Sequence, residues 1–112
     1  MTINKSFAAS NYIILASTTS TVNSGLFESI LPGFTQTSDI SVRVIGVGTG
    51  QAIKMAERGD ADVLLVHHKK SELGFVDKGF GVKRHDVMYN DFILVGPKSD
   101  PANIKRTKNV VH

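Results

Sequence analysis

Residues 12 to 21 read Tyr12-Ile13-Ile14-Leu15-Ala16-Ser17-Thr18-Thr19-Ser20-Thr21, an apolar run that passes directly into five hydroxyl side chains. The apolar half holds β-branched residues and no polar interruption, the pattern of a buried strand. From Ser24 the period changes. Leu26, Phe27, Ile30, Leu31 and Phe34 recur at three and four, which predicts a helix with Asn23 or Ser24 as N-cap. Pro32 lies inside that pattern and predicts a kink or an early end. The alternation then repeats. Ile40 to Ile45 reads as a strand, Gly46-Val47-Gly48-Thr49-Gly50 as a loop, and Gln51 to Arg58 as a helix stopped by Gly59. Ala61 to Val66 is a third strand, and Lys69 to Lys78 an amphipathic helix that Gly79 ends. Asp86 to Tyr89 and Asp91 to Val95 are further strand candidates. Strand and helix in strict alternation predict an α/β lobe, a parallel-type sheet flanked by helices.

The length of 112 residues suits one ordinary domain, and 41% hydrophobic with 21% charged residues is a globular composition. No apolar run reaches the roughly 18 residues of a membrane span. Cysteine is absent, which excludes disulfides, thiolate-bound zinc and thiol catalysis. The net charge of +3 is concentrated after Pro97, where Lys98, Lys105, Arg106 and Lys108 face only Asp100. The rest is neutral, so nucleic acid is not an expected partner. Residues 1–11, MTINKSFAASN, lack the apolar core of a secretion signal and read as a disordered or tag-like N-terminus. Residues 12–97 form the lobe, and residues 98–112 a basic continuation.

Both unusual features, the hydroxyl run and the Gly-Thr-Gly loop, fall between a strand end and a helix start. In parallel sheets ligands bind there. Unpaired backbone N–H groups and the positive end of a helix dipole favour an anion at such a place, and hydroxyls add donors without charge. Neither loop contains Lys or Arg, which points to a small oxyanion held by dipoles instead of a charge clamp. The competing reading is that Ser17 to Thr21 only caps and turns. A dinucleotide fingerprint fails because Gln51 stands where its third glycine belongs, and no G-K-[ST] follows to make a P-loop. His67-His68 point to opposite sides of a strand end and read as surface or structural residues. Asp60 and Asp62 read as turn and cap residues. No nucleophile with a base partner is visible, so an enzyme is not expected.

Ile14 to Leu26 (ILASTTSTVNSGL), Val44 to His68 (VIGVGTGQAIKMAERGDADVLLVHH) and Val87 to Lys105 (VMYNDFILVGPKSDPANIK) carry a family resemblance. Together they resemble the tungstate-binding proteins of bacterial tungstate ABC importers, periplasmic solute-binding proteins related to the molybdate binders. The resemblance implies a type II periplasmic-binding-protein-like fold of two α/β lobes with the oxyanion in the cleft between them. It gives ligand roles to Thr18, Thr19, Ser20 and Thr49, with backbone donation near Gly48. The ligand it implies is tungstate or molybdate, the partner an ABC permease of the inner membrane, the location periplasmic or membrane-anchored extracellular. It implies no cofactor, no metal ion site beyond the oxyanion itself, and no catalysis.

Three departures from the family pattern stand out. Ser17 occupies a place where the family has threonine, and Asn23 one where it usually has aspartate. The family's later anion loop, with its arginine, lies beyond this stretch, so residues 98–112 are expected to lead toward a second lobe. On that reading the chain is the N-terminal half of a binding protein. Weak binding by the isolated chain is expected, with self-association through exposed apolar surface. The alternative from another class is a stand-alone cytoplasmic α/β domain that senses an oxyanion. A further alternative is an enzyme acting on a phosphorylated metabolite.

Overall fold

The computed structural model describes residues 11–105. Apart from Asn11, the tag-like stretch lies outside the described residues, as do Arg106 and Lys108 of the basic continuation. The strands β1 (Tyr12–Thr18), β2 (Ser41–Val47) and β3 (Val63–Leu65) form one parallel sheet in the order β2-β1-β3. The predicted α/β lobe is present. β1 is the central strand, and its residues Leu15, Ala16, Ser17 and Thr18 are all buried. That burial on both faces explains its unbroken apolar pattern. β2 lies on an edge and alternates between exposed and half-buried positions over most of its length.

Along the chain the direction of travel across the sheet reverses. The first crossover runs from β1 to β2, and the second passes from β2 over β1 to β3. Right-handed connections therefore place the intervening helices on opposite faces. On one side lie α1 (Thr19–Asn23) and α2 (Leu26–Ser38); on the other lies α3 (Thr49–Glu57), whose Ala52 is fully buried against the sheet. Gly46 is the contact point for α1. A Cβ there would stand 2.7 Å from Val22 Cγ2, so only glycine lets α1 lie this close to β2.

Several local expectations are corrected. The helix expected from the Leu26-to-Phe34 period is α2, and a short helix not expected from the sequence, α1, precedes it. α1 forms within the hydroxyl run itself, and Gly25 at φ 78° is both its stop and the N-cap of α2. Neither Asn23 nor Ser24 is that cap, although the Ser24 hydroxyl donates to the Thr21 carbonyl at 2.7 Å. Pro32 does not end α2, which continues to Ser38. It sits on the solvent side, where the carbonyl it frees one turn earlier, on exposed Glu28, meets water. β3 is shorter than expected because Asp62 is a clamp. Its carboxylate accepts the Ile14 N–H at 2.8 Å while its own N–H donates to the Ile14 carbonyl at 2.9 Å. This matches the cap role read for Asp62 in the sequence.

The helix α4 (Lys69–Asp77) ends as expected at Gly79, φ 81°, with the Phe80 N–H donating back to Phe75 and the Gly79 N–H to Val76. That is the paired closure of a glycine stop. Beyond it the chain folds back on α4. Gly81 lies against Phe75, and Arg84 bonds Glu72 at 2.6 Å and Asp86 at 2.7 Å. The two later strand candidates are not strands. Residues 86–95 have no regular structure, because no neighbouring strand among the described residues supplies the ladder a strand needs.

Candidate anion-binding site

β1 and β2 end together. Thr18 is the register partner of Val47, the last pair of the ladder. One residue later each chain is at a helix start: α1 follows Thr18, and α3 follows Gly48. Neighbouring strands stand about 4.8 Å apart, so the two helix starts open side by side above one sheet edge. The crossover reversal sends the helices to opposite faces, the kind of place where open α/β sheets bind ligands. Neither start is capped by a side chain. The first N–H groups of α3 have no side-chain acceptor, because its cap residue Gly48 has no side chain. In α1 the cap hydroxyl of Thr18 is turned toward other hydroxyls.

Within the hydroxyl run the residues divide by depth. Ser17 is fully buried, and its hydroxyl donates to the Leu65 carbonyl at 2.7 Å, joining β1 to β3. Thr18 is 4% exposed, with Oγ1 2.8 Å from Thr21 Oγ1 and 3.2 Å from Ser20 Oγ. Thr19 and Ser20 are exposed at the start of α1, and Thr49 is half-buried at the start of α3. Four of the expected ligand residues, Thr19, Ser20, Gly48 and Thr49, thus come to one edge of the sheet. Thr18 comes there too, but as the floor. Sequence reading did not single out Thr21, whose hydroxyl the structure couples to Thr18. The signal was the unbroken run of hydroxyls, and only depth separates its members.

Gly48 and Gly50 differ from Gly46. A Cβ at either would meet nothing within 4 Å, and neither has positive φ. Packing among the described residues does not require glycine there, whereas a ligand approaching the backbone would. No salt bridge among the described residues involves either loop. His68 lies elsewhere, its Nδ1 2.6 Å from Ser71 Oγ at the start of α4, and His67 is exposed. The described residues contain no group of three or more His, Asp or Glu placed to hold a metal ion.

A model of the PBP superfamily domain matches residues 5–112. The chain belongs to the PBP superfamily. The tungstate-binding protein TupA of Peptoclostridium acidaminophilum is 56% identical over 98 residues, covering 88% of this chain and 34% of that protein. Among solved structures, the tungstate-binding protein TupA from Desulfovibrio alaskensis G20 superposes with a TM-score of 0.80 at 48% identity, over 84% of this chain and 38% of that one. The tungstate ABC transporter structure from Geobacter sulfurreducens gives a TM-score of 0.82 at 52% identity, over 91% and 44% of the two chains. The family resemblance read from the three stretches of sequence is thereby shown, and this PBP superfamily chain has the fold of solute-binding relatives. It spans about a third of the length of the curated relative.

Proposed function

We propose that the chain contributes one wall of a site for a tetrahedral oxyanion, tungstate and secondarily molybdate, in the solute-binding component of an ABC importer. The observation that carries this reading is the shared ending of β1 and β2, which brings two helix starts without side-chain caps to one end of the sheet. Thr19, Ser20 and Thr49 supply hydroxyl donors, and the N–H groups after Gly48 supply backbone donors. A site made of donors favours a fully deprotonated dianion. Hydrogen phosphate brings a proton that such a site leaves unmatched, at a cost of about 1–3 kcal/mol. Capture and release to an inner-membrane permease, in the periplasm or at an anchored extracellular position, completes the proposed role; relatives named as tungstate-binding proteins and as a tungstate ABC transporter support its binding part. On this reading the site captures its ligand and does not turn it over.

The test is an NMR titration of the 112-residue chain with sodium tungstate, with molybdate, sulfate and phosphate as comparisons. Amide shifts confined to Thr19, Ser20, Thr49 and Gly50, larger for tungstate and molybdate, are expected at millimolar ligand. Equal responses to sulfate, or shifts only in the basic segment after Pro97, would refute the reading.

Self-association of the chain by itself belongs to the same proposal. From Val87 to Val95 the large apolar side chains are strongly exposed, from 61% at Met88 to 96% at Phe92. Such a patch favours association. Light scattering across a concentration series should show a rising mass that Phe92→Asp lowers; a concentration-independent monomer contradicts it.

A further inference from the structure

The oxyanion reading leaves two hydroxyls of the run without a role. Thr18 is buried behind the surface, and Thr21 is set back on α1, half-buried. Thr18 Oγ1 makes both contacts of the cluster, 2.8 Å to Thr21 Oγ1 and 3.2 Å to Ser20 Oγ. A threonine hydroxyl has one hydrogen, so Thr18 donates to one neighbour and must accept from the other for both contacts to be hydrogen bonds. Ser17 offers no alternative, since its hydrogen is committed to the Leu65 carbonyl.

Ligand binding resolves the choice. If Ser20 donates outward to an anion, its hydrogen is no longer available to Thr18. The contact of 3.2 Å is then a hydrogen bond only if Thr18 donates to Ser20. Thr18 in turn keeps its bond of 2.8 Å only if Thr21 donates to it. One arrangement satisfies everything at once: Thr21 donates to Thr18, Thr18 to Ser20, and Ser20 to the anion.

We infer that Thr18 and Thr21 are positioning residues of the oxyanion site, forming an ordered hydroxyl chain that turns the Ser20 hydrogen toward the ligand. The inference rests on the oxyanion reading above. Each donor in the chain is polarised by the one before it, which strengthens the terminal bond. Thr18 acts through Ser20 and does not touch the ligand. Thr21, at the far end of the chain of contacts from Ser20, sets the direction.

The test uses the full 112-residue chain and its Thr21→Val, Thr21→Ser and Thr18→Val variants. Side-chain couplings measured by NMR report the Ser20 χ1 rotamer without any ligand, and tungstate titration reports affinity. The wild type and Thr21→Ser should hold Ser20 in one rotamer. Thr21→Val and Thr18→Val should average it and weaken tungstate binding roughly threefold, the loss of about one net hydrogen bond. A purely structural role would lower the unfolding midpoint without changing the Ser20 couplings. Unchanged Ser20 couplings in both valine variants, or a wild-type Ser20 already averaged, overturns the inference. Should Thr18→Val fail to fold, Thr21→Val on the half-buried helix surface decides it. Averaging of Ser20 in Thr21→Val, with no tungstate response in the wild type, overturns the oxyanion reading and with it the donor direction, leaving only the contacts among the three hydroxyls.

Discussion

Gly46 and Gly48 flank Val47 and answer different demands. At Gly46 the demand comes from inside, since any Cβ would run into Val22 on α1. At Gly48 the space is open and the backbone conformation is ordinary, φ −68° and ψ 150°. Gly46→Ala should therefore destabilise the fold by about 1–3 kcal/mol, the usual cost of overpacking. Gly48→Ala should cost less than about 1 kcal/mol, a cap-position effect, yet diminish the tungstate-induced shifts at Thr49 and Gly50. Urea unfolding together with the titration separates the two; equal losses of stability would contradict the distinction. The hydroxyls show the same contrast between local and tertiary causes. Their place at a strand end is readable from residues 12 to 21, because a β-branched apolar run followed by Ser and Thr has few other meanings. Which of them is floor and which is surface is not readable. Depth depends on β3, whose Leu65 lies far along the chain, pairing over Ser17, and on α1 turning its hydroxyls back onto Thr18.

At the scale of elements, the strands and the glycine stops follow local rules, and the exceptions have particular causes. α1 is built from Thr19-Ser20-Thr21-Val22-Asn23, weak helix formers that favour caps and turns when isolated. It is helical here because Val22 packs onto the bare backbone at Gly46. α2 continues through Pro32 with Phe27, near its start, buried against the sheet side. The price of that proline is a missing N–H and a crowded preceding turn. Pro32→Ala should raise stability by about 1–3 kcal/mol without altering the fold. Thermal unfolding followed by circular dichroism checks this, and a lower midpoint would show that the proline shapes the approach of α2 to β2.

For the whole molecule, the ordered packing extends from the sheet through α4 to a three-residue ionic latch and stops there. Arg84 joins Glu72, on α4, to Asp86, on the segment that leaves it. The hydrogen bond from Arg84, reinforced by its charge, holds the Asp86 carboxyl below the usual range. A lowered folded-state value means the contribution is present above the unfolded range and is lost as pH falls through the folded value. Acidification through that lowered value, below the usual carboxylate range, should thus release Asp86 from Arg84. An Arg84 side-chain resonance that shifts with that titration in the wild type, and loses the shift in Asp86→Asn, would show it. The effect should be small, since Asp86 is mostly exposed and its pair is well solvated. Beyond the latch, the strand candidates fail for a reason outside themselves. Val87 to Val95 has the side chains of a strand but no partner among the described residues.

The amino-acid sequence by itself determined the α/β alternation, and that the hydroxyl run and the Gly-Thr-Gly loop, both without Lys or Arg, fall where strands end and helices begin. These depend on periodicity, turn residues and composition, which act over a few neighbouring positions. Tertiary structure alone decided that Thr18 lies beneath Ser20, that α1 is a helix, that Asp62 shortens β3, and that residues 86–95 stay unpaired. The helix α1 and the short β3 require groups distant in sequence to meet, Val22 with Gly46 and Asp62 with Ile14, and the energy of such a meeting is not encoded in either partner alone.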